Sequence, residues 1–91
     1  VFTPDEMQAI VDIAVEHDLW IVSDEIYARL VWTDYPHISP FTLPGGKERT
    51  LIVNGWSKSW AMTGMRLGFL AGPPDAMRAA VKTQANSASH V

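Results

Sequence analysis

Lys58 and Arg66 stand eight positions apart in a stretch, Val53 to Gly68, that holds no other charged residue. Around them lie Asn54, Gly55, Ser57, Ser59, Thr63 and Gly64, which are small or polar. A lysine amine joins an aldehyde as a Schiff base once it has lost its proton, and partial burial beside a second cation favours that loss. An arginine fork grips a phosphate through two parallel hydrogen bonds and keeps its charge. Earlier in the chain Asp24 and Tyr27 lie three apart, and a carboxylate can hold a pyridine nitrogen protonated, which makes the ring an electron sink. Taken singly, each residue also has a plainer reading. Lys58 suits an exposed surface, Arg66 a surface ion pair, Asp24 the cap of a helical turn from Glu25 to Leu30, and Tyr27 an ordinary amphipathic position.

The elements that must position these groups follow from patterning. Thr3-Pro4-Asp5-Glu6 is a helix start with a capping box. Met7, Ile10, Val11, Ala14 and Val15 then recur at helical spacing, and the helix is expected to end near His17 and Asp18. Leu19 to Val22 reads as a strand buried on both faces, ending in Ser23-Asp24-Glu25. Carboxylates just past the end of such a strand lie where open α/β sheets place ligands. Residues 31–47 carry Pro36, Pro40, Pro44 and Gly45-Gly46 and are expected to be an irregular loop. His37 in that loop is expected to be exposed and is given no role.

Thr50 to Val53 is the second buried strand, and it delivers the lysine stretch at its carboxyl end as the first delivers Asp24. Both ends should meet in one crevice. Leu67 to Ala71 is a third strand, read as antiparallel, and Asp75 to Gln84 a helix with Ala76, Met77, Ala80 and Val81 inward. Asn86 to Ser89 reads as a loop or a new helix start. Trp20, Trp32, Trp56 and Trp60 are read as core or loop anchors. No repeat, linker or internal boundary interrupts residues 1–91.

Composition narrows the function classes. Hydrophobic residues make up 47% and charged residues 19%, enough for a packed core. A net charge of −3 with seven scattered Lys and Arg residues argues against nucleic acid. Without any cysteine, disulfides and zinc knuckles are excluded, and too few other ligands gather to hold a metal. No apolar run is long enough to span a bilayer and no signal peptide stands out, so a cytoplasmic protein is expected. The chain starts at Val1 with a helix signal almost at once and stops without a closing element, so a piece of a larger protein is expected.

Other chemistries fail on spacing. Gly45-Gly46-Lys47 lacks both the upstream glycine of a phosphate loop, where Phe41 stands, and the hydroxyl residue after the lysine, where Glu48 stands. A Ser-x-x-Lys acylase needs serine at the position of Gly55, and Gly55-Trp56-Ser57-Lys58-Ser59 lacks the second glycine of a nucleophile elbow. What survives, a lysine and an arginine with a carboxylate and a phenol, meets the needs of pyridoxal phosphate chemistry.

Ser23-Asp24-Glu25-Ile26-Tyr27, then Ser57-Lys58-Ser59, then Ala61-Met62-Thr63-Gly64-Met65-Arg66-Leu67-Gly68 closely resemble the class I and II aminotransferases, the aspartate aminotransferase fold group. The resemblance implies a segment of the large cofactor domain, a mostly parallel α/β sheet between helices, with pyridoxal 5'-phosphate as cofactor. It implies that Lys58 carries the cofactor and shuttles a proton, and that Asp24 pairs with the pyridine nitrogen. It further implies that Tyr27 hydrogen-bonds the ring oxygen and that Arg66 binds the phosphate with help from Ser57. Amino acid and 2-oxo acid substrates and a homodimer are implied too, with neither nucleic acid nor membrane as partner. Met65 stands where the family often has tryptophan, and Gly55 where some members carry a phosphate-binding serine. The family's glycine-rich phosphate turn, its asparagine beside the ring oxygen and its late carboxylate-binding arginine are not within residues 1–91, so this segment alone is not expected to turn over. A carbon–sulfur β-lyase of the same fold and a cofactor-sensing regulatory domain are the alternatives.

Overall fold

The computed structural model describes residues 1–87. Helix α1 spans Pro4–Glu16. Its start is built from the expected residues: the Glu6 amide donates to Thr3 Oγ1 at 3.2 Å, and the Thr3 amide donates to Glu6 Oε2 at 2.8 Å. Two donors of the helix end are thereby satisfied. Met7, Val11 and Ala14 are buried along one side, and fully burying a valine such as Val11 contributes about 1.5–3 kcal/mol. The buried strip is narrower than the periodicity suggests, because Val15 is left exposed.

Three strands follow, β1 at Ile21–Asp24, β2 at Thr50–Gly55 and β3 at Gly68–Ala71. They form one sheet in the order β1-β2-β3, parallel between β1 and β2 and antiparallel between β2 and β3. The sheet is therefore mixed, and with its flanking helices the segment is of the expected α/β class. A 3₁₀ turn at Pro40–Thr42 within the long crossover touches both α1 and β2, which makes buried Pro40 the link between helix and sheet.

Strand β1 departs from expectation in two ways. It starts two residues later, since pairing begins only where Ile21 meets Thr50, and Leu19 and Trp20 serve instead as the exposed connection. It is also not buried on both faces: its burial alternates, and Val22 is 66% exposed. One face of β1 thus lacks a covering layer among the described residues.

Arg49 closes the end of α1, which falls at His17 as expected. Its Nη1 donates to the Ala14 and Leu19 carbonyls, each at 3.0 Å, and meets Asp18 Oδ1 at 3.4 Å. A cation there adds a charged donor at the helix end and opposes the negative end of the helix dipole. His17, at the cap position, lies largely exposed beside Glu16.

The Gly45-Gly46 pair serves the loop's own geometry. Gly45 has φ +82°, and a Cβ on Gly46 would lie 1.8 Å from the Pro40 carbonyl oxygen. Only glycine fits both places.

Helix α2 spans Pro74–Ser87, so Asn86 and Ser87 extend it, and Ala88 and Ser89 lie outside the described residues. Ala76, Met77 and Ala80 are half-buried, whereas Val81 is 64% exposed against expectation.

Candidate functional site

The parallel register pairs Asp24 with Val53, so β1 and β2 end side by side. The Glu25 amide continues the pairing by donating to the Val53 carbonyl at 2.8 Å. From these two ends leave the turn that carries Tyr27 and the loop that carries Lys58.

Asp24 is exposed at the last position of β1. Its Oδ1 accepts from the Ile26 amide at 3.2 Å, an Asx turn that starts the bends closed by Ala28 to Glu25 and Leu30 to Tyr27. Capping uses one carboxylate oxygen, and among the described residues the other has no hydrogen-bond donor. The two readings of Asp24 are therefore compatible in space. The turn presents Tyr27 outward, 57% exposed, and Lys58 Nζ lies 5.9 Å from its ring centre.

Lys58 sits in a loop bound to itself. The Ala61 amide donates to the Lys58 carbonyl at 3.2 Å and the Met62 amide to the Trp56 carbonyl at 3.3 Å. Thr63 Oγ1 donates to the Ser57 carbonyl at 3.0 Å. Lys58 is exposed rather than partly buried. Ser57 is half-buried at the base of the loop. Arg66 follows a 3₁₀ turn, Thr63–Met65, in the left-handed conformation with φ 53°, and its Nη1 donates to the Thr63 carbonyl at 3.2 Å. Ala61 shares that conformation with φ 52°. Such conformations cost about 1 kcal/mol or more each and cluster at ligand clamps.

Gly55 explains an absence. A Cβ there would lie 2.9 Å from the Leu67 carbonyl oxygen and 3.2 Å from Ile26 Cδ1, so a serine has no room. Ser57 is left as the hydroxyl beside Lys58 on that side.

Several contacts escape sequence reading. Ser59 Oγ donates to the Ile26 carbonyl at 3.2 Å, and the Arg29 guanidinium lies 4.4 Å over the Trp60 ring. Glu25 is buried, accepts from Ser23 Oγ at 3.1 Å, and faces His37 Nε2 at 3.5 Å. His37 is thus half-buried beside the Glu25 carboxylate, not exposed. The tryptophans are not core: Trp20, Trp32 and Trp60 are more than half exposed, and Trp56 meets Phe69 edge-on at the rim, with ring centres 5.6 Å apart. The only advance signal for these contacts was adjacency to Asp24 and Lys58.

The hollows do not single out this site. One lies between the sheet and α2, lined by Val53, Leu70, Met77 and Ala80, and holds none of the five candidate residues. Another beside α1 includes Asp24 with His37 and Pro40. Geometry at the strand ends is the better guide, because it joins residues of complementary chemistry, whereas the first hollow is mainly an unfilled apolar seam. Among the described residues no cluster of metal-ligating side chains occurs, and no helix is long and apolar enough to cross a membrane.

A family model for aminotransferases of class I and II matches residues 1–90. The chain belongs to that family. It is 45% identical to an aspartate aminotransferase of Musicola paradisiaca, over 96% of this chain and 22% of that protein. It is likewise 45% identical to aromatic-amino-acid aminotransferase 2 of Thermococcus litoralis, over 98% of this chain and 23% of that one. The solved structure of an aromatic aminotransferase from Pyrococcus horikoshii superposes with a TM-score of 0.90 at 45% identity, covering 97% of this chain and 24% of that one. A Thermus thermophilus aspartate aminotransferase superposes at 0.86 with 39% identity, over 96% and 22%. The chain spans about a quarter or less of the relatives it matches.

Proposed function

We propose that this chain is a segment of the cofactor domain of a pyridoxal 5'-phosphate-dependent aminotransferase, which moves an amino group from an amino acid to a 2-oxo acid. The observation that carries the reading is the meeting of Lys58 and Tyr27, 5.9 Å apart, above two parallel strand ends with Asp24 on the neighbouring one. The donor set suits the cofactor: an amine for its aldehyde, a carboxylate for its pyridine nitrogen, a phenol for its ring oxygen, and a guanidinium with a serine hydroxyl for its phosphate. When bound, pyridoxal phosphate would supply an aldehyde for the Lys58 amine and a ring that draws electrons from the substrate α-carbon.

The chain's own residues hold and orient that group and move one proton. Asp24 offers its uncapped oxygen to the pyridine N–H. Tyr27 donates to the ring oxygen, and Arg66 and Ser57 anchor the phosphate. The Lys58 amine would be the base that takes a proton from the substrate α-carbon and the acid that delivers it to the cofactor's aldehyde carbon. A homodimer and the cytoplasm as its compartment are part of the same proposal, as the family resemblance implies.

The test uses the whole polypeptide that carries the segment. Visible absorption is recorded with and without an amino acid, beside Lys58→Ala, and borohydride reduction followed by peptide mass measurement locates the attached cofactor. Cofactor on Lys58 and loss of amino transfer in the variant are expected. Amino transfer surviving in Lys58→Ala would overturn the reading, and pyruvate release from a cysteine conjugate would move it to a carbon–sulfur lyase.

A further inference from the structure

Two contacts bridge the turn bearing Tyr27 and the loop bearing Lys58, and neither involves a residue given a role above. Ser59 Oγ donates to the Ile26 carbonyl at 3.2 Å in part-buried surroundings, and the Arg29 guanidinium lies 4.4 Å from the centre of the Trp60 ring. Ser59 directly follows Lys58, and Ile26 directly precedes Tyr27. Any change at this hydrogen bond is therefore transmitted to the gap between the Lys58 amine and the Tyr27 ring.

Neither turn needs the bridge to form. On one side the Asp24 carboxylate and the Glu25 carbonyl already bind the Ile26 and Ala28 amides. On the other, the Lys58, Trp56 and Ser57 carbonyls already take Ala61, Met62 and Thr63. What these local bonds leave free is the spacing of one turn relative to the other. The pairing of β1 with β2 ends with the Glu25 amide on the Val53 carbonyl, and beyond it no backbone hydrogen bond ties one turn to the other among the described residues.

We infer that Ser59 is a positioning residue, whose hydrogen bond to the Ile26 carbonyl, seconded by the Arg29–Trp60 stack, sets the distance between Lys58 and the Asp24–Tyr27 turn. This rests on the cofactor reading above. A site must be held by supporting contacts if its geometry is to be productive, and here the support runs through backbone next to each functional residue.

The whole polypeptide is compared with Ser59→Ala, Ser59→Thr and Arg29→Ala. Three quantities are read: the dissociation constant of the apo protein for pyridoxal 5'-phosphate, by quenching of tryptophan fluorescence; the pH midpoint of the visible absorbance of the bound cofactor; and Tm. Ser59→Ala should weaken cofactor binding about five-fold and displace the midpoint, while Ser59→Thr, which keeps the hydroxyl, stays near wild type. Arg29→Ala, at an exposed position that does not endanger folding, should weaken cofactor binding about two-fold and displace the midpoint in the same direction. A Ser59→Ala protein with wild-type affinity and midpoint overturns the inference whatever its Tm, as does a Thr variant that fails as badly as Ala. Either result leaves the cofactor reading standing, whereas a wild-type protein that takes up no cofactor overturns both.

Discussion

Asp24 and Val53 are register partners at the last rung of the parallel pair. One strand therefore hands its carboxylate to the same edge at which the other hands over the lysine loop. Because side chains alternate along a strand, a slip of one residue would turn Asp24 to the opposite face. The Glu25 amide bond to the Val53 carbonyl, one residue further, holds that register.

Asp24→Asn separates the two uses of this side chain. An amide oxygen still accepts from the Ile26 N–H, so the Asx turn survives and stability should change by less than about 0.5 kcal/mol. The charge proposed to face a pyridine nitrogen would be lost, and amino transfer by the whole polypeptide should then fall about ten- to a hundredfold. Unchanged activity with unchanged Tm would reduce Asp24 to a cap.

Gly55→Ser places an oxygen where some relatives of the family carry one, yet here its Cβ would press on the Leu67 carbonyl at 2.9 Å. Overpacking of this kind costs about 1–3 kcal/mol. A lower Tm is expected, with faster amide exchange in residues 55–68, where the Trp56 amide donates to Leu67. A serine variant as stable as wild type would mean that the loop opens without cost.

Arg49 predicts a local effect. Removing its side chain in Arg49→Ala leaves the Ala14 and Leu19 carbonyls without the guanidinium that now binds them. Bonds to a charged donor are worth about 1.5–3 kcal/mol each, so the Asp18 and Leu19 amides, which donate to the last turn of α1, should exchange with solvent at least about tenfold faster. Arg49→Lys, a point charge without the fork, should recover only part. Exchange rates equal to wild type in both variants would count against the cap.

Which features were legible in advance depends on how far along the chain their causes lie. The capping box at Thr3 and Glu6 is a matter of four residues, and it was readable. So were the apolar runs of β2 and β3, and the convergence of two strand ends that brings Tyr27 to Lys58 follows from reading both as parallel. The start of β1 was not, because Leu19 and Trp20 look like strand residues but have no rung to pair with before Ile21. Periodicity predicted an apolar face for each helix without saying how much of it meets a partner, hence Val15 and Val81 in solvent. Arg49 and His37 act across long sequence separations, where local pattern carries no information.

Glu25 and His37 supply the last prediction. Their side chains are 10% and 22% exposed, with Glu25 Oε1 3.5 Å from His37 Nε2, a nitrogen that makes no hydrogen bond among the described residues. The carboxylate directly follows Asp24, so the pair ties the loop of residues 31–39 to the strand end that carries the site. Removing His37 alone leaves a buried carboxylate with only the Ser23 hydroxyl, which is costlier than removing both partners. The Glu25→Gln/His37→Ala double variant should be destabilised less than the sum of the two single variants, by a coupling of about 0.5–3 kcal/mol. Amide exchange of residues 31–39 in the four proteins of the cycle reads that coupling locally. Strict additivity would show that the two side chains are neighbours without being partners, and that the loop is held instead by Pro40 packed between α1 and β2.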